Sequence, residues 1–331
     1  MTERTKGRPR RWLRRTAVVV VCVLAGFQVI GWFTSSPQVG HFRSAADRDA
    51  YAEAYQEALA AMPAPSRTLD IETSFGTVRV YEWLGPDSSG APVVLLPGRG
   101  SGVPMWSENL SEMLKHRTVY ALDAIGDAGM STQSVPITDA ADQAEWIDDA
   151  LAGLGIDRAH VVGHSFGAAS AAALALHHPE RVATLTLLEP AFVLSWPPLG
   201  TLLWSVPASM PFLPQSWRDT AVAKIAGEDP ADLDSGDPVA RMITVGGTGY
   251  SAELPTPSPL SDEQLRSLDM PAYVALADTS TITQGADSLS KTELIPNVTA
   301  EVWPNTTHSL PMQVPKPLAE KLAAFWASGD D

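Results

Sequence analysis

The stretch that most constrains the fold is Gly163-His164-Ser165-Phe166-Gly167, because of what flanks it. Before it runs Arg158-Ala159-His160-Val161-Val162, a short segment bounded by Gly155 and Asp157 and readable as a buried strand. After it runs Ala168-Ala169-Ser170-Ala171-Ala172-Ala173-Leu174-Ala175-Leu176, which has strong helix propensity and stops before Pro179. Many loops satisfy Gly-x-Ser-x-Gly by chance, but between a strand and a helix the pattern reads as a nucleophile elbow. A serine on so tight a turn projects its hydroxyl above the sheet, and the glycines let the backbone bend that sharply. The helix that follows aims its N-terminus at the point where negative charge would develop.

Three further segments fall in order around the elbow. Pro92-Val93-Val94-Leu95-Leu96-Pro97-Gly98-Arg99-Gly100 reads as a strand and a glycine-bearing loop. A second strand and loop run from Val119 through Asp123 and Asp127 to Ser131, and Val302-Trp303-Pro304-Asn305-Thr306-Thr307-His308 places a histidine late in the chain. With the elbow, these segments resemble the α/β-hydrolase superfamily from about Arg67 to Trp326. The resemblance implies an α/β fold with a mostly parallel central sheet flanked by helices and a helical lid inserted after the sixth strand. Pro97-Gly98 stands where many members of the family carry His-Gly in the oxyanion loop.

A free serine is a weak nucleophile, so the chemistry needs a histidine to accept its proton and an acid to orient that histidine. Of seven histidines His308 fits best: it follows a strand-like run, precedes a C-terminal helix and matches the family's order of Ser, acid, His. His164 is expected to point away from the site, and His177 and His178 to be solvated at a helix end. The family's usual acid position, after the strand Pro271–Ala277, holds Ser280. Two carboxylates remain. Glu189, at the end of Thr186-Leu187-Leu188-Glu189-Pro190, occupies a place from which some relatives supply the acid and is preferred; Asp278 is the alternative. Their structural readings are a carboxylate holding neighbouring loops and a turn residue. The backbone N–H groups of Phe166 and Arg99 would form the oxyanion hole, with the Arg99 side chain facing solvent.

The resemblance implies acyl transfer to water, with a carboxylesterase or lipase as the leading form and a small-molecule acyl substrate. Relatives on this scaffold also include thioesterases, amidases, peptidases and cofactor-free haloperoxidases. Epoxide hydrolases and haloalkane dehalogenases carry Asp where Ser165 stands and are disfavoured. The rival reading is a catalytically degenerate, membrane-tethered binding domain, motivated by Ser280 in the acid position. No cofactor and no metal are expected.

Charge and hydropathy set the context. Residues 1–15 carry seven Lys/Arg and one Glu, a net of +6; the chain is −15, so the remainder is −15 − 6 = −21. An acidic body of that size argues against nucleic acid as a partner. Residues 16–33 carry no charge and follow the basic block, which reads as a transmembrane signal-anchor of roughly 27 Å with the body extracytoplasmic. Secretion after signal cleavage is the alternative. Cys22, the only cysteine, lies in that run, so the body has no disulfide and no cysteine nucleophile.

The organisation expected is a basic cytoplasmic segment (1–15), the anchor (16–33), a linker with an amphipathic helix (34–66) and the hydrolase domain (67–328), its lid spanning about 191–260. The linker helix, 44–62, would bury Tyr51, Tyr55, Leu59 and Met62 against the domain or the membrane surface. A hairpin turning near Ser74-Phe75-Gly76 follows. Thr138 is expected to cap a helix over 139–154 that Gly155 ends, and Ser261-Asp262-Glu263-Gln264 to form a capping box. The tryptophans and prolines of the lid are expected mostly to pack it on the core.

Overall fold

The computed structural model describes residues 36–86, 90–210, 213–229 and 236–329. The run 16–33 and Cys22 lie outside these, and among the described residues no helix is long and apolar enough to cross a membrane.

The chain enters with β1 (His41–Phe42), α1 (Ala45–Ala60) and the hairpin β2 (Arg67–Thr73) and β3 (Gly76–Trp83). Next come β4 (Val93–Leu96), α2 (Ser107–Met113), β5 (Val119–Leu122), β6 (Thr132–Gln133) and α3 (Ala140–Leu154). The elbow joins β7 (Ala159–His164) to α4 (Phe166–His177), and β8 (Val182–Leu188) follows. An insertion carries α5 (Leu199–Ser209), α6 (Gln215–Ala226), α7 (Pro238–Gly249) and β9 (Tyr250–Ser251). The chain closes with α8 (Asp262–Arg266), β10 (Ala272–Ala277), α9 (Ala286–Thr292), β11 (Val298–Trp303), α10 (Leu310–Gln313) and α11 (Pro315–Ala327).

The main sheet has the order β11-β10-β8-β7-β4-β5-β3-β2, with β6 beside β3. From β11 to β5 all neighbours are parallel, while β3 runs antiparallel to both β5 and β2. Every residue of β4, β7, β8 and β10 is buried. Parallel strands covered by helices on both faces demand such continuous apolar runs. Successive residues serve opposite faces: Val94, Leu96 and Val161 join one core, Val93, Leu95 and Val162 the other. Open α/β sheets bind ligands beyond the carboxyl ends of their strands, and here the ends of β4, β7, β8 and β10 lie side by side.

The hairpin turns as its sequence predicts, pairing Thr73 with Gly76, and Val78 and Val80 are fully buried. Helix α1 is capped by Ser44, whose Oγ accepts from Asp47 N (3.1 Å), and it packs on the domain, burying Tyr51, Ala54, Tyr55 and Ala58 with Met62 just beyond its end. Gly155 ends α3 in the left-handed region (φ 71°), but the N-cap is Asp139 rather than Thr138. The Asp139 carboxylate accepts from Asp142 N, whereas the Thr138 hydroxyl, one residue too early for that N–H, donates to the Asp142 carboxylate. Ser261 and Gln264 form both halves of the capping box.

Between β8 and β10 the chain leaves the sheet, and Leu260 N donates to Val193 O (2.9 Å), which brings the two ends of the excursion together. The aromatics here meet the expectation only in part. Phe192 and Tyr250 are buried, and Trp196 meets Phe192 edge-on (5.7 Å between ring centres), but Trp196, Trp204 and Trp217 remain 43%, 41% and 58% exposed.

Candidate active site

Ser165 sits between β7 and α4 at φ 55°, ψ −117°, a conformation that costs a non-glycine residue about 1–3 kcal/mol and that the surrounding structure must enforce. Two close approaches enforce it. A Cβ on Gly163 would lie 2.3 Å from Gly167 O, and one on Gly167 would lie 2.2 Å from Leu96 O. Ser165 N donates to Leu188 O (3.0 Å), tying the turn to the end of β8. Phe166 opens α4, so its N–H belongs to the first-turn donors that lack intrahelical acceptors.

His308, in the loop after β11, places Nε2 2.9 Å from Ser165 Oγ and Nδ1 3.1 Å from Glu189 Oε2. A carboxylate only accepts, so Nδ1 carries the proton toward Glu189 and Nε2 is left to accept from the serine hydroxyl. Glu189 is fully buried at φ 47°, directly after β8. Four groups donate to its two oxygens. Ala277 N (2.6 Å) and Thr283 Oγ1 (2.9 Å) serve Oε1, and Ser280 Oγ (2.5 Å) and His308 Nδ1 serve Oε2. Both oxygens of this buried carboxylate are thereby hydrogen-bonded without a Lys or Arg among the donors.

Ser280, where the resemblance implies an acid, thus donates to the carboxylate of Glu189 at the end of the neighbouring strand β8. Its oxygen accepts from Ile282 N (3.1 Å) and Thr283 N (2.9 Å), which orients its own hydroxyl toward Glu189. Asp278 does not approach His308 in this way. It is exposed, and its carboxylate accepts from Asn305 N (2.9 Å) and Thr306 N (3.1 Å); the first of these bonds is the main cause of its lowered pKa. It shapes the loop that ends in His308.

His164 contradicts the expectation that it points away. Its ring lies 4.9 Å from that of His308, and its Nε2 is 2.9 Å from the His308 carbonyl oxygen, to which it donates. Burial first, and His308 second, push its pKa down to about 3, so it stays neutral. Its Nδ1 is buried without a hydrogen-bond partner and faces the loop after β4: a Cβ on Gly98 would lie 3.0 Å away. His178 also departs from the solvated reading. It is half-buried and within 4.0 Å of the carboxylates of Glu145, Asp148 and Glu180, while His177 is exposed as expected.

Two buried carboxylates hold the loop that carries Arg99. Asp127 Oδ2 accepts from Gly100 N (2.7 Å). Asp123 accepts from Val103 N (2.7 Å), Met130 N (2.8 Å) and the Tyr55 hydroxyl (2.8 Å), so α1 supports this loop from below. Burial raises both pKa values, that of Asp123 to about 6. The Arg99 side chain is exposed, as expected, and its guanidinium stands 5.0 Å from the centre of the Phe166 ring. Sequence reasoning missed His164, Ser280, Thr283, Asp123 and Asp127 as parts of the site's frame. The one local signal was the hydroxyl-rich run Thr279-Ser280-Thr281-Ile282-Thr283, which favours side-chain-to-backbone turns. Among the described residues no group of His, Cys, Asp and Glu is arranged to hold a metal ion.

The sheet order, the elbow and the insertion define the class: the chain has the α/β-hydrolase fold. A family model described as alpha/beta hydrolase fold matches residues 91–226. Among curated proteins the chain is similar to the carboxylesterase YbfK of Bacillus subtilis, at 25% identity over 84% of this chain and 93% of the relative. It is also similar to the uncharacterized carboxylesterase nap of Bacillus subtilis, at 27% identity over 83% and 92%. Among solved structures it resembles the naproxen esterase (carboxylesterase NP) from Bacillus subtilis, with a TM-score of 0.77 and 24% identity over 86% of this chain and 99% of that one.

Proposed function

We propose that this chain is a serine carboxylesterase whose catalytic residues are Ser165, His308 and Glu189. The observation that carries the reading is the continuous relay from Ser165 Oγ through His308 to a buried, four-fold hydrogen-bonded Glu189. Likeness over most of both chains to two carboxylesterases supports the ester bond as the target.

In this mechanism Ser165 Oγ attacks the ester carbonyl while His308 Nε2 takes its proton, and Glu189 stabilises the imidazolium. The carbonyl oxygen becomes an oxyanion facing the N–H groups of Phe166 and Arg99. His308 then protonates the departing alkoxide, leaving an acyl-Ser165 ester. Water, deprotonated by His308, attacks that ester and releases the carboxylic acid. The binding-domain reading rests on Ser280 in the acid position; the carboxylate of Glu189 beside His308 favours the enzyme reading over it. The run 16–33 would tether the enzyme to the membrane with the domain extracytoplasmic.

Stopped-flow hydrolysis of p-nitrophenyl butyrate tests the assignment. A burst of p-nitrophenol stoichiometric with protein, absent in Ser165→Ala, is the expected result. A folded parent with neither burst nor turnover would restore the tethered binding domain.

A further inference from the structure

Seven large apolar side chains stand exposed among the described residues, and five of them fall in one stretch of the insertion: Trp196, Leu199, Leu203, Trp204 and Trp217. Leu199 and Leu203 lie one helical turn apart on α5 with Trp204 next to them, and Trp217 is in the first turn of α6, which packs against α5. Leu199 is 73% exposed, so its side chain is not core that happens to reach the surface. The sequence from 196 to 217 contains no Asp, Glu, Lys, Arg or His. At the chain's 18% charged content, 22 residues would carry about four charges. Exposed apolar clusters of this kind mark interaction surfaces.

Two observations select the occupant. Residues 34–40, at most roughly 25 Å of extended chain, are all that separates the apolar run 16–33 from β1. Strand β1 pairs with β9, the last element of this same insertion (His41 opposite Ser251), so the first strand after residues 34–40 is held on the insertion. The residue types agree. Indole rings favour the bilayer–water interface, where an apolar body meets a polar edge. A chain of net charge −15 is repelled by anionic surfaces, which makes a zwitterionic lipid the fitting partner.

We propose that the exposed face of α5 and α6 is a second membrane contact, resting in the headgroup region of a zwitterionic bilayer. It rests on the tether reading of residues 16–33 and is independent of the catalytic assignment. Lying there, the insertion would present the site to esters that partition into the bilayer.

The test uses the full chain reconstituted in phosphatidylcholine vesicles, with and without bromine on the upper acyl chain, and reads tryptophan fluorescence. The parent is compared with Trp204→Ser/Trp217→Ser and with Trp217→Ser alone, which removes the most exposed indole and least threatens folding. Trp12 and Trp32 contribute equally to all three proteins. The expected result is that brominated lipid removes most of the emission these two indoles supply, so that quenching falls stepwise from parent to single to double variant. Equal quenching amplitudes in all three, with the protein floating with the vesicles, would overturn the lid contact and leave the tether standing. A chain that does not float would overturn both. A lipid-independent dimer that shields Trp204 and Trp217 would also overturn the proposal, and would name a second copy of the chain as occupant.

Discussion

The nucleophile elbow and the acid site lie at the ends of adjacent strands, yet they are built in opposite ways. The elbow is local. Five consecutive residues, a buried strand before them and an alanine-rich helix after them determine where the Ser165 hydroxyl goes, and the close contacts of Gly163 and Gly167 leave no alternative. The acid site is assembled from afar. Glu189 comes from the end of β8, while Ala277, Ser280 and Thr283, some ninety residues later, supply three of its four donors. A side chain of the proposed triad can therefore be fixed by its own sequence neighbourhood or by its partners' neighbourhood. Only the first kind is legible in a short motif.

Substitutions at three places would break or sharpen that contrast. The largest effect is expected at the local end: Ser165→Ala should lower ester turnover by about 10⁴-fold or more while leaving the fold intact, as circular dichroism would verify. At the assembled end, moving the acid should be possible. Glu189→Gln/Ser280→Asp, which returns the carboxylate to the family's usual strand, should recover part of the turnover that Glu189→Gln alone loses. If the double variant is as slow as the single one, the four-donor cage is specific to a carboxylate at 189. A smaller loss is expected from His164→Leu, which leaves the His308 carbonyl without its donor: about 1–3 kcal/mol of stability and a lower kcat at unchanged KM. His164→Gln keeps an N–H donor and should restore most of both. Equal losses in the two variants would assign His164 to packing alone.

The smallest effect concerns the loop's support. The Asp123 pKa is raised from 3.8 to about 6, chiefly by burial, against the pull of the Met130 and Val103 N–H groups and the Tyr55 hydroxyl. The folded protein therefore binds more protons than the unfolded chain between these values, so this group's contribution to stability falls as pH rises from about 4 to about 6. Chemical denaturation of parent and Asp123→Asn across that range should show the slope in the parent and its loss in the variant. Parallel curves would contradict it.

Much of the fold follows from the sequence because its signals are local. Short apolar runs become buried parallel strands, Gly155 stops α3 and Ser261 with Gln264 starts α8. His308 was readable from its position after a strand and before a helix. The rest depended on contacts between distant residues. His164 adjoins Ser165 in sequence, but the backbone its ring meets arrives 144 residues later, so no local signal shows that it turns toward His308. The choice between Glu189 and Asp278 stayed open because both follow strands; what separates them is that one is buried under donors while the other caps a surface turn. The partial exposure of the insertion's indoles is not legible in sequence, because an apolar run looks the same whether its side chains end up covered or open.

The central claim is that Glu189, and not Asp278, completes the relay to Ser165. The most direct measurement is the rate at which a fluorophosphonate labels the parent, Glu189→Gln and Asp278→Asn, each checked for folding by circular dichroism. The account predicts labelling at Ser165, slowed by about 10³–10⁴-fold in Glu189→Gln and close to the parent rate in Asp278→Asn. Slow labelling of Asp278→Asn beside a Glu189→Gln that labels at the parent rate would contradict it.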